Sequence, residues 1–146
     1  ALSNVEEINN YFASNCSNAN TVLDVDILNN YLYNTLHVNN SFTIQMTSDI
    51  EMFQTLLSIK SKALGPDNIS LDMLLYCCPY VLPYLTHIFN FCIENNVYPS
   101  VWKRSLVIPL PKVNNPEQLS DLRPISLLCV LSKVFEKILA NQIRQC

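Results

Sequence analysis

The chain has 146 residues, 49% of them apolar, with one glycine, six cysteines and a formal net charge of −3. That is enough for one ordinary hydrophobic core and too little for two large domains, while a lone glycine excludes a Walker loop and a dinucleotide fingerprint, each of which needs several. Residues 1–59 carry six acids and no base, and all nine Lys and Arg lie from Lys60 onward against six acids, so formal charge runs from −6 to +3 and only the later part can meet a polyphosphate.

Ser3-Asn4-Val5-Glu6 has capping-box spacing, and Val5, Ile8, Tyr11 and Phe12 follow at helical intervals, which predicts a helix over about residues 4–15. Val22, Val25, Leu28, Leu32 and Leu36 line a second helix whose other side is mostly Asn and Asp. After a loop over His37 to Gln45, Ser48-Asp49-Ile50-Glu51 opens a third, with Ile50, Phe53, Leu56 and Leu57 on its apolar face up to Lys60. Gly65-Pro66-Asp67-Asn68 is turn chemistry, Gly65 being free to take positive φ and Asp67 able to bond nearby amides.

Ser70 then caps a short helix to about Cys78, and Pro79 or Pro83 sits in the first turn of the next, which carries Leu82, Leu85, Ile88, Phe89 and Cys92. With the prolines interrupting, Tyr76, Tyr80 and Tyr84 are assigned to packing rather than to one shared face. Met73 to Ile93 lacks charge over a membrane-spanning length. Two prolines with Thr86, His87 and Asn90 make it a buried helical pair instead, and no membrane partner is expected.

Trp102, ahead of Lys103 and Arg104, reads as a core anchor with base stacking as the rival role. Ser105 to Lys112 is a short proline-closed strand, Asn114 to Glu117 a loop and Leu122 to Leu128 the return limb, with Pro109 and Pro124 marking edge strands. Leu131, Val134, Phe135, Ile138 and Leu139 give a last helix. The fold expected is mainly α with a small antiparallel β-hairpin, an α+β arrangement.

Cys16, Cys77, Cys78, Cys92, Cys129 and Cys146 lack zinc spacing and read as free buried thiols in a reducing, intracellular setting. The sequons at Asn15, Asn39 and Asn68 are chance matches in a chain with 18 Asn. Asp24-Val25-Asp26 is read as a polar helix face rather than a magnesium site, and His37 and His87 as surface or core residues. Lys112 closes one strand and Arg123 opens the next, so a hairpin brings both near its loop; they are either ligands of one polyphosphate or solvated turn charges.

Lys62-Ala63-x-Gly65-Pro66-Asp67-x-Ile69-Ser70, Ile88-Phe89-Asn90, Val97-Tyr98-Pro99-x-x-Trp102-Lys103, Val107 to Lys112, Arg123-Pro124-Ile125-Ser126-Leu127-Leu128 and Ser132 to Leu139 follow one another in order. Together these blocks, from about Phe53 to Arg144, closely resemble the start of the reverse transcriptase domain of non-LTR (LINE-type) retrotransposons. The resemblance implies a right-hand polymerase's fingers and the start of the passage to its palm over residues 48–146, preceded by an acidic, Asn-rich helical linker over residues 1–47. The palm would be missing, and the sequence reads as a piece of a longer protein.

In the parent enzyme the resemblance implies an RNA template, a DNA primer and deoxynucleoside triphosphates as partners. Arg123 and Lys112 would contact the triphosphate, and Lys62, Lys103 and Arg104 the nucleic acid. Two Mg2+ ions would be held by palm carboxylates, leaving no catalytic residue and no cofactor in this part. Two other readings stay open: a truncated relic acting as a helical interaction protein through its acidic front, and a nucleic-acid-binding module without polymerisation.

Overall fold

A computed structural model describes residues 4–17, 25–34 and 42–145. Its elements are α1 (Val5–Ser17), α2 (Val25–Asn34), α3 (Asp49–Ser58), α4 (Leu71–Glu94), β1 (Ser105–Pro111), β2 (Leu122–Leu128) and α5 (Val130–Ile143), with 3-10 turns at Ser100–Lys103 and Leu119–Asp121. Five helices and one two-stranded sheet give the mainly helical α+β arrangement expected. Two compact units divide the chain, Ala1–Ser41 with Pro109–Pro124 and Phe42–Ile108 with Ile125–Cys146.

In the first unit, α1 is capped by Asn4, whose Oδ1 accepts from the backbone N–H of Glu6 (3.1 Å) and Glu7 (3.4 Å). The cap expected of Ser3 lies outside the described residues, as do Val22, Asp24, Leu36 and His37. Rings of Tyr11 and Phe12 meet at 5.6 Å.

The second unit holds the core. Ser48 caps α3 by accepting from Glu51 N–H at 3.2 Å, while the Glu51 carboxylate accepts the Thr47 hydroxyl at 2.9 Å. Ser70 caps α4 in the same way, through Met73 N–H at 3.1 Å. Met52, Leu56, Phe89, Val134 and Ile138 are wholly buried. Phe89 packs edge-on against Trp102 (5.3 Å) and Phe135 (5.1 Å), and Trp102 also meets Phe135 at 5.4 Å and Tyr98 at 5.9 Å. Trp102 is therefore the core anchor expected of it, with 7% of its surface exposed.

Tyr98 adds a polar lock to this cluster. Its hydroxyl lies 2.8 Å from the Ser132 hydroxyl and donates to Glu136 Oε1 at 2.8 Å, which Ser132 also reaches at 3.2 Å. Burial pushes the Tyr98 phenol pKa up, and the Glu136 carboxylate adds to the rise.

Four expectations fail here. α4 is one helix of 24 residues that passes through Pro79 and Pro83, not a pair broken at them. Each proline removes one N–H, leaving the carbonyls of Leu75 and Pro79 without their helical donor, at a cost of about 3 kcal/mol or more. Both prolines are exposed. The apolar stripe of Cys78, Leu85, Phe89 and Cys92 continues across them and keeps the helix seated; a buried Leu or Phe alone contributes about 1.5–3 kcal/mol.

A continuous helix also puts Tyr76, Tyr80 and Tyr84 on one face, and they are 86%, 81% and 71% exposed. Their assignment to packing is wrong.

Gly65 likewise does not take positive φ, a role that falls to Asn68 at φ 56°. Its smallness serves a close approach instead, because a Cβ there would lie 2.5 Å from both Cα and N of Cys129. Asp67 bonds a nearby amide as expected, accepting from Ile69 N–H at 3.3 Å.

The thiols of Cys78, Cys92 and Cys129 are free and buried, and burial raises the pKa of each. Cys77 is exposed, against expectation; it falls about a quarter-turn round α4 from the stripe. The side chains of Cys16 and Cys146 lie outside the described residues, and His87 is exposed. Among the described residues no helix is long and apolar enough to cross a membrane.

Candidate nucleotide and nucleic-acid contacts

The hairpin's register follows from one bond and three prolines. Lys112 N–H donates to Asp121 carbonyl at 2.7 Å, so paired positions sum to 233, as the strand limits 105 with 128 and 111 with 122 require. Bonded positions are then 110 with 123, 108 with 125 and 106 with 127. Pro109, Pro111 and Pro124 fall at the outward-facing positions, where no ladder donor is needed, and they blunt both outer edges against a further strand.

The same parity places Lys112 and Arg123 on one face, diagonal across the strands. Their surroundings differ. Lys112 Nζ donates to the Ser120 carbonyl at 2.6 Å, inside a loop that Asp121 organises by accepting from Glu117 N–H (3.1 Å) and Gln118 N–H (3.0 Å). Those amides, Gln118 first, hold the Asp121 carboxyl below its ordinary value, and Lys112 adds to the effect. Lys112 thus spends one of three donors on the loop and keeps two. The Arg123 guanidinium is exposed, and no hydrogen bond or ion pair engages it among the described residues.

In the second unit, Lys103 and Arg104 lead into β1, with Lys103 Nζ 5.9 Å from the centre of the Tyr98 ring. Lys62 is exposed on the extended segment after α3. Sequence reasoning missed what lies beneath that segment: Lys133 Nζ donates to the Ala63 carbonyl (3.3 Å) and meets Ser61 Oγ (3.4 Å), and Lys137 Nζ donates to the Ser58 carbonyl (3.1 Å). Their i, i+4 spacing on α5 was the available signal. No group of three His, Cys, Asp or Glu side chains placed to hold a metal ion occurs among the described residues.

Three curated proteins of Drosophila melanogaster are similar to part of this chain. It is 32% identical over 83 residues to the probable RNA-directed DNA polymerase from transposon BS, and 34% identical over 84 residues to the probable RNA-directed DNA polymerase from transposon X-element. It is 29% identical over 86 residues to the RNA-directed DNA polymerase from mobile element jockey. These stretches are 56–58% of this chain but only 9% of each relative. The chain shows distant, partial homology to RNA-directed DNA polymerases of non-LTR retrotransposons. No family profile matches it.

Proposed function

We propose that this chain is the fingers portion of an RNA-directed DNA polymerase that copies the RNA of a non-LTR element into DNA. The observation that carries the reading is the partial homology to three such polymerases; the exposed, unengaged Arg123 on the hairpin agrees with it. In this reading Arg123 forks two charge-assisted bonds onto the incoming triphosphate. Lys112, tethered through Ser120, supplies a second cation on the same face, and Lys62, Lys103 and Arg104 meet template phosphates. The protein acts inside the cell on an RNA template, a DNA primer and deoxynucleoside triphosphates.

The attack of the primer 3′ oxygen on the α-phosphorus, with departure of pyrophosphate, belongs to a palm in a longer protein. Bound Mg2+ there would align that oxygen and stabilise the leaving group. This chain's part is to bind and orient the triphosphate. The test is primer extension on an RNA template with Mg2+ and nucleotides, comparing the isolated 146-residue chain with the longer protein read from the same transcript. Template-directed incorporation by the longer protein and none by the isolated chain is expected. Incorporation by the isolated chain, or none by a folded longer protein carrying palm carboxylates, overturns the reading.

A further inference from the structure

The side of α4 away from its buried stripe is built from tyrosine. Tyr76, Tyr80 and Tyr84 form one i, i+4, i+8 ridge that advances in steps of about 6 Å, and all three stand well out into solvent. At 100° per residue the ridge is centred roughly 150° round the helix from Cys78, Leu85, Phe89 and Cys92, so the residues that seat α4 in the core are not those that bare its outer face. Met73 and His87, also exposed, extend the ridge at its two ends. Apolar side chains exposed singly are ordinary, whereas a contiguous row of aromatic rings along one helix marks an interaction face.

Charge, symmetry and area together say what fits there. Between Asp72 and Glu94 the helix carries no Asp, Glu, Lys or Arg, so the face offers a charged partner nothing and presents no like-charge row to its own copy. It also reads the same in both directions: about Tyr80, Tyr76 mirrors Tyr84 and Met73 mirrors His87. An antiparallel pair of α4 helices centred on Tyr80 sets Tyr80 beside its copy and Tyr76 at the level of Tyr84 in the second copy, which is the self-complementarity that a two-fold axis demands. That direction opposes the two helix dipoles and keeps the Asp72 carboxylates about 24 Å apart along the axis, where a parallel pair would set them side by side. At about 150–250 Å2 for each tyrosine, three rings from each of two copies reach the roughly 1,000 Å2 at which specific interfaces begin. The phenol hydroxyls reach the rim and stay wet, so burying the rings orphans no polar group.

We propose that the face of α4 bearing Tyr76, Tyr80 and Tyr84 pairs with the same face of a second copy of this chain, antiparallel and centred on Tyr80. An interface at the low end of the specific range binds reversibly, so the pair forms and separates with concentration. The inference goes beyond the polymerase reading and does not rest on it.

The experiment is sedimentation velocity of the 146-residue chain from about 1 to 200 µM, a range that brackets the micromolar affinity of a small interface. The mass should rise from one chain to a plateau at two. Tyr80→Glu alters an exposed side chain and is expected to fold as the parent, which circular dichroism checks. It should weaken association at least about a hundredfold, because it sets two carboxylates face to face on the axis, whereas Tyr80→Phe, which keeps the ring, should associate as the parent does. Register is read by cross-linking in a background of Cys16→Ser, Cys77→Ser and Cys146→Ser. There Tyr80→Cys should form a disulfide with its own copy under mild oxidation, and Tyr76→Cys, about 12 Å along the axis from its copy, should not. A parent that stays one chain throughout, a mass that climbs past two, parental association in Tyr80→Glu, or cross-linking at Tyr76→Cys as readily as at Tyr80→Cys overturns the proposal. None of these results touches the polymerase reading, which primer extension judges.

Discussion

Around Phe89 the chain satisfies itself, whereas along the hairpin it does not. Met52, Leu56, Phe89, Val134 and Ile138 show no exposed surface, and the wholly buried hydroxyl of Ser132 beside them is bonded to Tyr98 and Glu136. On the hairpin Leu106, Val107, Ile108, Leu110 and Ile125 are 37–52% exposed. A two-stranded sheet is marginal by itself in water, and proline on both outer edges bars a third strand. Packing dictates the residues of the first region; the second keeps apolar faces and an exposed guanidinium that no hydrogen bond or ion pair engages among the described residues.

That contrast is broken most severely at Phe89. Phe89→Ala removes the ring that Trp102 and Phe135 share, and a loss of about 3–5 kcal/mol in urea-melt stability is expected. A loss below about 1 kcal/mol would mean that the core does not rest on this cluster. Gly65→Ala follows, because the added methyl meets backbone rather than a movable side chain. About 3 kcal/mol is expected, together with loosening of the 59–65 segment in hydrogen exchange. A neutral result would place the segment farther from α5.

Arg123→Ala sharpens the comparison from the other side, in a longer protein that polymerises. Nucleotide incorporation efficiency should fall at least tenfold, equivalent to about 1.4 kcal/mol, while stability stays within about 0.5 kcal/mol. Lys112→Ala should reduce incorporation less, since one of its donors is already committed to Ser120. Loss of activity through unfolding, or no loss at all, removes the triphosphate role.

Legibility in the sequence divides along the same line as range. Periodicity and caps are local, so α1, α3, α5, both strands and the Ser48 and Ser70 caps were readable from neighbouring residues. Pro79 and Pro83 misled because their penalty is local, while the apolar stripe that overrides it extends a full turn or more to either side. The purpose of Gly65 was hidden because its partner, Cys129, is 64 positions away, and the meeting of Lys133 and Lys137 with residues 58–63 was hidden for the same reason. At the hairpin, parity alone placed Lys112 and Arg123 on one face. That Ser120 holds Lys112 while Arg123 stays exposed depends on the loop's fold and left no mark in spacing.

Tyr98→Phe probes the core's polar lock at smaller scale. Ser132 keeps Glu136 at 3.2 Å, so no buried group is orphaned and a loss of about 1–2 kcal/mol is expected. Because the folded phenol pKa is raised above its ordinary value of 10.0, the unfolded chain releases this proton first as pH rises. The contribution of neutral Tyr98 is complete below pH 10 and declines above it. Parent stability should therefore fall more steeply than that of Tyr98→Phe beyond pH 10. Parallel curves would show that the phenol does not titrate with folding.

The gentlest probe is the hairpin loop, where the carboxylate of Asp121 accepts from Glu117 and Gln118 N–H. Its pKa is depressed below 3.8, so the folded loop releases the proton more readily than the unfolded chain. The bonds are complete above the unfolded value and are lost as pH falls through the folded one. Below about pH 4, amide exchange at Glu117 and Gln118 should accelerate beyond its intrinsic rate, and Lys112 should lose its tether to Ser120, while the midpoint for the Phe89 cluster is unmoved. Asp121→Asn should abolish this acid response and leave the core alone. Loop and core opening together at the same pH would mean that the two regions are coupled, and the contrast between a self-satisfied core and an independent hairpin would not stand.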